Sequence, residues 1–247
     1  MDDKAIVSSQ VKETPGLRRS GRRLWRMLVS RHEFSALVLL LVAGTFLSLR
    51  TDTFLTGNNL SNVSRAFSWI AIAAFGESLA IIIGGIDMSV GAVMALAGLI
   101  SALCLRAGCA VPLAILAGLL TGGLVGLING IIVGRVRLPP FIVTLGTMSI
   151  ARGLLYVLTG QQPITNLPAS FKAIGQTRVF DLVQLPIIIC LALVAIFDIL
   201  LRRSKFLRQN YYIGGNEKAA FLCGIPVKRI KLFNYALAGA LAAVAGI

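Results

Sequence analysis

The sequence predicts an all-α fold: a polytopic transmembrane helical bundle with about six complete spans, the start of a seventh, and a cytoplasmic N-terminus. Three observations lead there. Hydrophobic residues make up 56% of the 247 positions and charged residues 14%, with a mean hydropathy of +0.83, which is more apolar surface than one soluble core can bury. Apolar runs recur at close to the ~20 residues that a helix needs to cross a bilayer. Basic residues gather in two segments with an even number of runs between them, as the positive-inside rule requires of a chain that returns to its starting side.

The elements follow in order. Residues 1–33 form a basic tail carrying Lys4, Lys12, Arg18, Arg19, Arg22, Arg23, Arg26 and Arg31. The first apolar run, 34–49, starts too late after this tail for a cleavable signal peptide, and no A-x-A type site follows it, so it reads as a retained span. Further runs occupy 67–86, 88–105, 111–134, 139–159 and 182–201, and a seventh begins near Leu232 and is still apolar at Ile247. The second basic segment, 202–231, holds Arg202, Arg203, Lys205, Arg208, Lys218, Lys228, Arg229 and Lys231. With six spans between them, both segments are expected in the cytoplasm. The loops 50–66, 106–110 and 160–181 are then outside and the short turn "GRVRLPP" inside. The outer stretch "GQQPITNLPASFKAIGQTRVF" is rich in turn formers and predicts an ordered turn or a short surface helix. Residues 34–247 thus form one membrane domain that includes the loop 202–231.

A net charge of +14 could indicate nucleic acid, but its confinement to two loop segments fits membrane topology and argues against a nucleic-acid partner. Cys104, Cys109, Cys190 and Cys223 show no C-x-x-C spacing, and His32 is the sole histidine, so no metal site is expected; buried small apolar side chains account for Cys104 and Cys190. There is no P-loop, G-x-S-x-G or H-E-x-x-H motif. Nothing supports an enzyme.

Several residues stand out within the runs. Gly118, Gly122, Gly126, Gly130 and Gly134 recur every fourth position and line one helix face without side chains, inviting a neighbouring backbone to approach. Asn129 beside this stripe is placed to hydrogen-bond across such an interface. Charged residues inside a bilayer cost on the order of 3 kcal/mol each, so Glu77, Asp87, Arg152 and Asp198 require explanation. Asp198 lies near the inner end of its run and close to Arg202, which suggests a helix-end pair. Glu77 and Arg152 are expected to face a water-filled path or each other, or Arg152 to snorkel outward. In "GGIDMSVGAVMALAG", Gly84 and Gly85 interrupt a helix, and Asp87 or Ser89 can accept the free amides of the next helix start, so Asp87 is expected to cap it. The break is either a plain cytoplasmic turn or an interruption at membrane depth.

That stretch, together with "LINGIIVGRVRLPPFIVTLGTMSIARGLLYVLTGQQPI" and "YYIGGNEKAAFLCGIPVKRIKLFNYALAGALAAVAGI", resembles the three signature regions of the sugar permeases of bacterial ATP-binding-cassette importers, the ribose, xylose, arabinose and galactoside type, within the branched-chain-amino-acid-permease-like superfamily. The similarity runs from about Phe54 to Ile247. The resemblance implies a multi-pass subunit of the bacterial inner membrane, in contact with membrane lipid. It implies pairing as a homodimer or with a sister permease, a cytoplasmic ATPase below and a periplasmic sugar-binding protein above. No cofactor of its own is implied, because ATP is hydrolysed by the partner subunits. It also implies that Gly214, Gly215, Asn216, Glu217, Ala219, Ala220, Gly224 and Ile225 form a short coupling helix that docks on the ATPase. Small Ala219 and Ala220 allow close docking, Gly224 can end the helix and Pro226 prevents its continuation.

Candidates for the translocation path are Glu77, Asp87, Asn129, Thr144 and Arg152. The position of Glu77 is often uncharged in such permeases, so no role is transferred to it. Permeases of this type usually continue for several more spans, and the chain is expected to be incomplete. Two rival readings are an ion-coupled secondary transporter or channel, in which Glu77 and Asp87 would bind coupling ions, and a non-transporting permease fragment. The loop from Tyr211 to Lys231, for which an ion-driven carrier has no use, discriminates against the first.

Overall fold

The computed structural model describes residues 32–179 and 183–247. The basic tail expected over residues 1–33 lies outside them, except for its last two positions. The chain divides into two compact units, residues 1–60 and 61–247.

In the first unit, α1 (His32–Arg50) exposes leucines on every side, Leu39, Leu41 and Leu49 among them, which is the pattern of a helix made to face lipid. The unit ends in the opening turn of α2 (Gly57–Ile82). That helix starts ten positions before the apolar run expected at 67–86, so much of the presumed outer loop 50–66 is helical. The reason is local: Thr56 Oγ1 accepts the Asn59 amide at 3.4 Å and the Thr56 carbonyl accepts that of Leu60 at 3.0 Å, capping a polar but helix-compatible stretch.

The second unit contains the rest of α2, then α3 (Val90–Arg106) and α4 (Val111–Ile131), which runs on into one π-helical turn (Ile132–Val136). There follow α5 (Pro140–Thr159), α6 (Ala169–Gln176), a ribbon of β1 (Arg178–Val179) and β2 (Val183–Gln184), α7 (Leu185–Arg203), α8 (Lys205–Gly215), α9 (Glu217–Leu222) and α10 (Val227–Gly246). The expected short surface helix is α6, which buries no residue. The antiparallel ribbon beside it, with Arg178 opposite Gln184 and Val179 opposite Val183, is the one departure from an all-α chain among the described residues.

Among the described residues, four helices are long and apolar enough to cross a membrane: Gly57–Ile82, Val111–Val136, Pro140–Thr159 and Leu185–Arg203. The run expected at 34–49 lies in α1, whose stretch Ala36–Arg50 is apolar but shorter than a span, and the run expected at 88–105 forms the shorter apolar helix Val90–Arg106. The latter measures about 25 Å at 1.5 Å per residue, less than the ~30 Å hydrocarbon core, because the Gly84–Gly85 break delays its start.

The interior is built on the glycine stripe. Gly122 and Gly126 lie against the Gly239 and Tyr235 carbonyls of α10, and Gly239 returns the contact on Gly122 and Gly126. A Cβ at Gly130 would sit 2.8 Å from the Leu232 Cα, and one at Gly134 would sit 3.1 Å from the Lys228 carbonyl. Gly118 instead faces α3, at Ser101 and Ala97. The stripe is therefore a helix-packing surface, with α10 lying along α4 at backbone contact. Near the Gly134–Lys228 end of this seam, Ala80, Ile83, Val133, Val143, Ile213, Ala220, Val227, Ile230 and Tyr235 form one buried cluster. A second cluster joins Ile72 and Leu79 of α2 to Cys190 and Phe197 of α7 and Leu241 of α10.

Candidate functional site: a buried polar network and a doubly capped helix

The chain between α2 and α3 is a sharp break with a simple local cause. Gly84 adopts φ = 78°, its amide donates to the Ile81 carbonyl at 2.9 Å, and the Gly85 amide donates to the Ala80 carbonyl at 2.8 Å, so α2 ends in a paired-bond glycine cap. In the segment 85–89 exposure then alternates, with Gly85, Asp87 and Ser89 buried and Ile86 and Met88 exposed, so the inward-facing polar groups need partners there.

Glu77, one and a half turns before the end of α2, accepts the Asp87 amide at 3.0 Å. Asp87, only 6% exposed, accepts the Ser89 amide at 2.8 Å and the Ser89 hydroxyl on the same oxygen, Oδ1. The residue that precedes the first turn of α3 is Ser89, and it makes no side-chain cap bond. The expectation that Asp87 caps the helix is thus corrected: its carboxylate closes the turn before α3, from two positions before the N-cap residue Ser89.

Two neighbouring helices complete the network. Asn129 of α4 donates from Nδ2 to the Ser89 hydroxyl at 3.1 Å and accepts the Thr147 hydroxyl of α5 on Oδ1. Thr144, one turn earlier on α5, accepts the Met88 amide at 3.1 Å and donates to the Pro140 carbonyl at 2.9 Å. Four of the five candidates for the translocation path, Glu77, Asp87, Asn129 and Thr144, therefore meet at one place. The fifth does not: Arg152 lies on the exposed side of α5, and the ion pairs among the described residues are Arg202–Asp198 and Lys231–Glu217, each 2.8 Å. Glu77 and Arg152 do not face each other. The helix-end pair expected for Asp198 is formed.

Three members went unnoticed as partners in the sequence. Thr147 follows Thr144 by three positions and so shares its helix face, which was a usable signal. Tyr235 gave none. It is fully buried, and its hydroxyl, without a partner among the described residues, occupies the space a Gly85 side chain would need. Ser89, considered only as a cap, is the joint between Asp87 and Asn129. One oxygen of Glu77, Oε2, is also buried without a partner among the described residues. No group of three His, Cys, Asp or Glu side chains that could hold a metal ion occurs among the described residues. The thiols of Cys104, Cys109, Cys190 and Cys223 are free, with Cys190 buried, Cys104 half-buried and the other two exposed.

The second feature is α9. Asn216 Oδ1 accepts the Ala219 amide at 3.0 Å, capping the N-terminus. At the other end Gly224 takes φ = 80°, its amide bonds to the Phe221 carbonyl at 3.0 Å and that of Ile225 bonds to the Ala220 carbonyl at 3.1 Å, the same glycine cap that ends α2. Pro226 follows. A six-residue helix has too few internal bonds to persist alone, and these two caps supply what it lacks. Glu217 bonds to Lys231 of α10 at 2.8 Å, and Ala220 is buried, whereas Ala219 is exposed. Phe221 and Leu222 are 64% and 83% exposed. A groove of about 900 Å³ separates α9 from the π turn and the start of α5, where Gly134, Arg137 and Pro140 line it opposite Glu217, Lys218 and Phe221. The whole region Gly214–Ile225 is therefore two short helices joined at Asn216, with Gly214 and Gly215 forming the last turn of α8.

Four membrane-length apolar helices, a glycine seam between α4 and α10, a hydrogen-bonded interruption between α2 and α3 and a capped short helix are the features of a polytopic membrane permease. The chain belongs to the family described as branched-chain amino acid transport system / permease component, which it matches over residues 59–247. This is a family of transport permeases, not of enzymes. Similar proteins include the ribose import permease protein of Bacillus subtilis, 38% identical over 81% of this chain and 62% of its own length. The D-allose transport system permease protein of Escherichia coli is 35% identical over 85% and 64% of the two chains. The L-arabinose transport system permease protein of the same organism is 33% identical over 98% and 71%. The chain thus spans between 62% and 71% of the length of these relatives. No solved structure matches it.

Proposed function

We propose that this chain is the membrane permease subunit of an ATP-binding-cassette importer of the bacterial inner membrane, and that it lines the path of a monosaccharide or related sugar. A cytoplasmic ATPase, a second permease subunit and a periplasmic sugar-binding protein complete the assembly. The relatives named for ribose, allose and arabinose support the substrate class. The observation that carries the coupling to an ATPase is α9: a helix too short to be stable alone, capped at both ends and held by Glu217–Lys231, presents Phe221 and Leu222 to solvent. Exposing two large apolar side chains costs hydrophobic free energy unless a partner covers them. Gly214, Gly215, Asn216, Glu217, Ala219, Ala220, Gly224 and Ile225 build that helix and its mounting. In this reading Glu77, Asp87, Asn129 and Thr144 hold the interruption next to the path in shape, and residues 202–231 and the tail 1–33 are cytoplasmic.

The test is copurification with the cognate ATPase, followed by sugar-stimulated ATP hydrolysis and uptake with the binding protein present. Substituting Asp for Phe221 and Leu222 together is expected to abolish copurification at unchanged membrane levels. Retained binding would remove α9 as the docking element, and label reaching a Lys218→Cys thiol only from outside would overturn the topology.

A further inference from the structure

We propose that Gly214 and Tyr235 are the two positioning residues through which the coupling segment sets the conformation of the Gly84–Gly85 break; the proposal rests on the importer reading above. Three observations make α8, α9 and the start of α10 move as one block. Glu217 of α9 is bonded to Lys231 of α10. Asn210 of α8 and Asn234 of α10, both fully buried, exchange amide hydrogen bonds at 3.1 and 3.4 Å. Ile213, Ala220, Val227 and Ile230, drawn from all three helices, share one packed cluster with Ile83 of the break. Close-packed interiors pass a displacement on instead of absorbing it.

The block meets the break at two places. At Gly214 the position a Cβ would take is occupied by the carbonyl oxygen of Ile82, the last residue of α2. At Gly85 the corresponding position is occupied by the Tyr235 hydroxyl, which has no hydrogen-bond partner among the described residues. Both are contacts of backbone with a rigid group, and they lie one on each side of Gly84, whose φ of 78° makes it the pivot. A displacement of α9 by a docked ATPase therefore reaches the segment that carries Asp87 and Ser89 through these two contacts, alongside the backbone contacts by which the start of α10 meets α4 and its Asn129. The break is the two-position element that coupling requires.

The experiment uses the complex with its ATPase and binding protein in lipid nanodiscs, with Cys109→Ser and Cys223→Ser as background and Ile86→Cys, at an exposed position of the break, as reporter. Maleimide labelling is measured with and without ATP trapped by vanadate. Trapping is expected to change the labelling rate by ~fivefold or more, the lower range of a site-to-site coupling. Gly214→Ala and Gly85→Ala are each expected to bring that ratio close to one while the ATPase still copurifies, and adding Tyr235→Phe to Gly85→Ala is expected to restore it, since Phe vacates the space the new methyl needs. An unchanged ratio in either single variant, or no rescue by Tyr235→Phe, overturns the proposal, and the rescue pair decides it if Gly214→Ala fails to accumulate. Failure of the unaltered chain to retain any ATPase would overturn the importer reading, and this inference with it.

Discussion

Gly130→Ala and Gly123→Ala make the same chemical change on the same helix, seven residues apart, and the structure separates their outcomes. A Cβ at Gly130 meets the Leu232 Cα and carbonyl oxygen, both at 2.8 Å, and the carbonyl carbon at 3.2 Å. Ordinary carbon contacts lie at ~3.5–4.0 Å, so α10 must retreat by on the order of 1 Å along a seam that also carries Gly122, Gly126 and Gly239. Overpacking of this kind costs ~1–3 kcal/mol. A Cβ at Gly123 meets nothing within 4 Å, and there Ala gains up to ~1 kcal/mol over Gly through helix propensity and a less flexible unfolded chain. The two variants are therefore expected to differ by ~1–4 kcal/mol, Gly130→Ala destabilising and Gly123→Ala neutral or stabilising. Thermal unfolding in mild detergent checks this, with the buried Cys190 thiol as reporter once the exposed thiols are blocked. Equal shifts for the two variants would refute the assignment of the stripe to the α4–α10 seam.

Asn129→Leu removes one partner each of Ser89 and Thr147 and is expected to cost ~1–3 kcal/mol in the same unfolding assay, because two inter-helix hydrogen bonds are lost while Ser89 keeps Asp87 and Thr147 keeps the Val143 carbonyl. Thr147→Val, which removes the hydroxyl that reaches both Asn129 and the Val143 carbonyl and nearly keeps the volume, is expected to cost about 1 kcal/mol. Asn216→Ala deletes the α9 cap, worth ~1 kcal/mol; faster proteolysis after Lys218 and weaker ATPase copurification at unchanged membrane levels would report it. Glu217→Gln, by contrast, removes a half-exposed ion pair and is expected to change stability by less than ~1 kcal/mol, a difference that unfolding in low and high salt would check. Maleimide is expected to modify Cys109 and Cys223 within the time that leaves Cys190 untouched, as their exposures require, with mass spectrometry as the readout.

The parts of this protein legible in the sequence are those decided by neighbours in the chain. The helical membrane class follows from composition and run length. The glycine seam follows from a four-residue repeat, and the C-terminal limit of α9 from Gly224 and Pro226, since caps act over three or four positions, whereas the separation of Gly214 and Gly215 into α8 does not. Local reading also misled where it considered apolarity alone: α2 starts at Gly57, because Thr56 caps a stretch too polar to be counted as a span. What only the tertiary structure decided is which polar groups meet. Asn129 reaches Ser89 and Met88 reaches Thr144 across 40 and 56 positions, separations set by the packing of α4 and α5 on the break and by no periodicity. The same packing turned Arg152 outward, moved Asp87 from helix cap to turn closure, and placed the Tyr235 hydroxyl against Gly85. The physical reason is one of range: propensity, capping and hydropathy act within about a turn, whereas a buried hydrogen bond finds its partner only after the apolar faces have fixed where each helix lies.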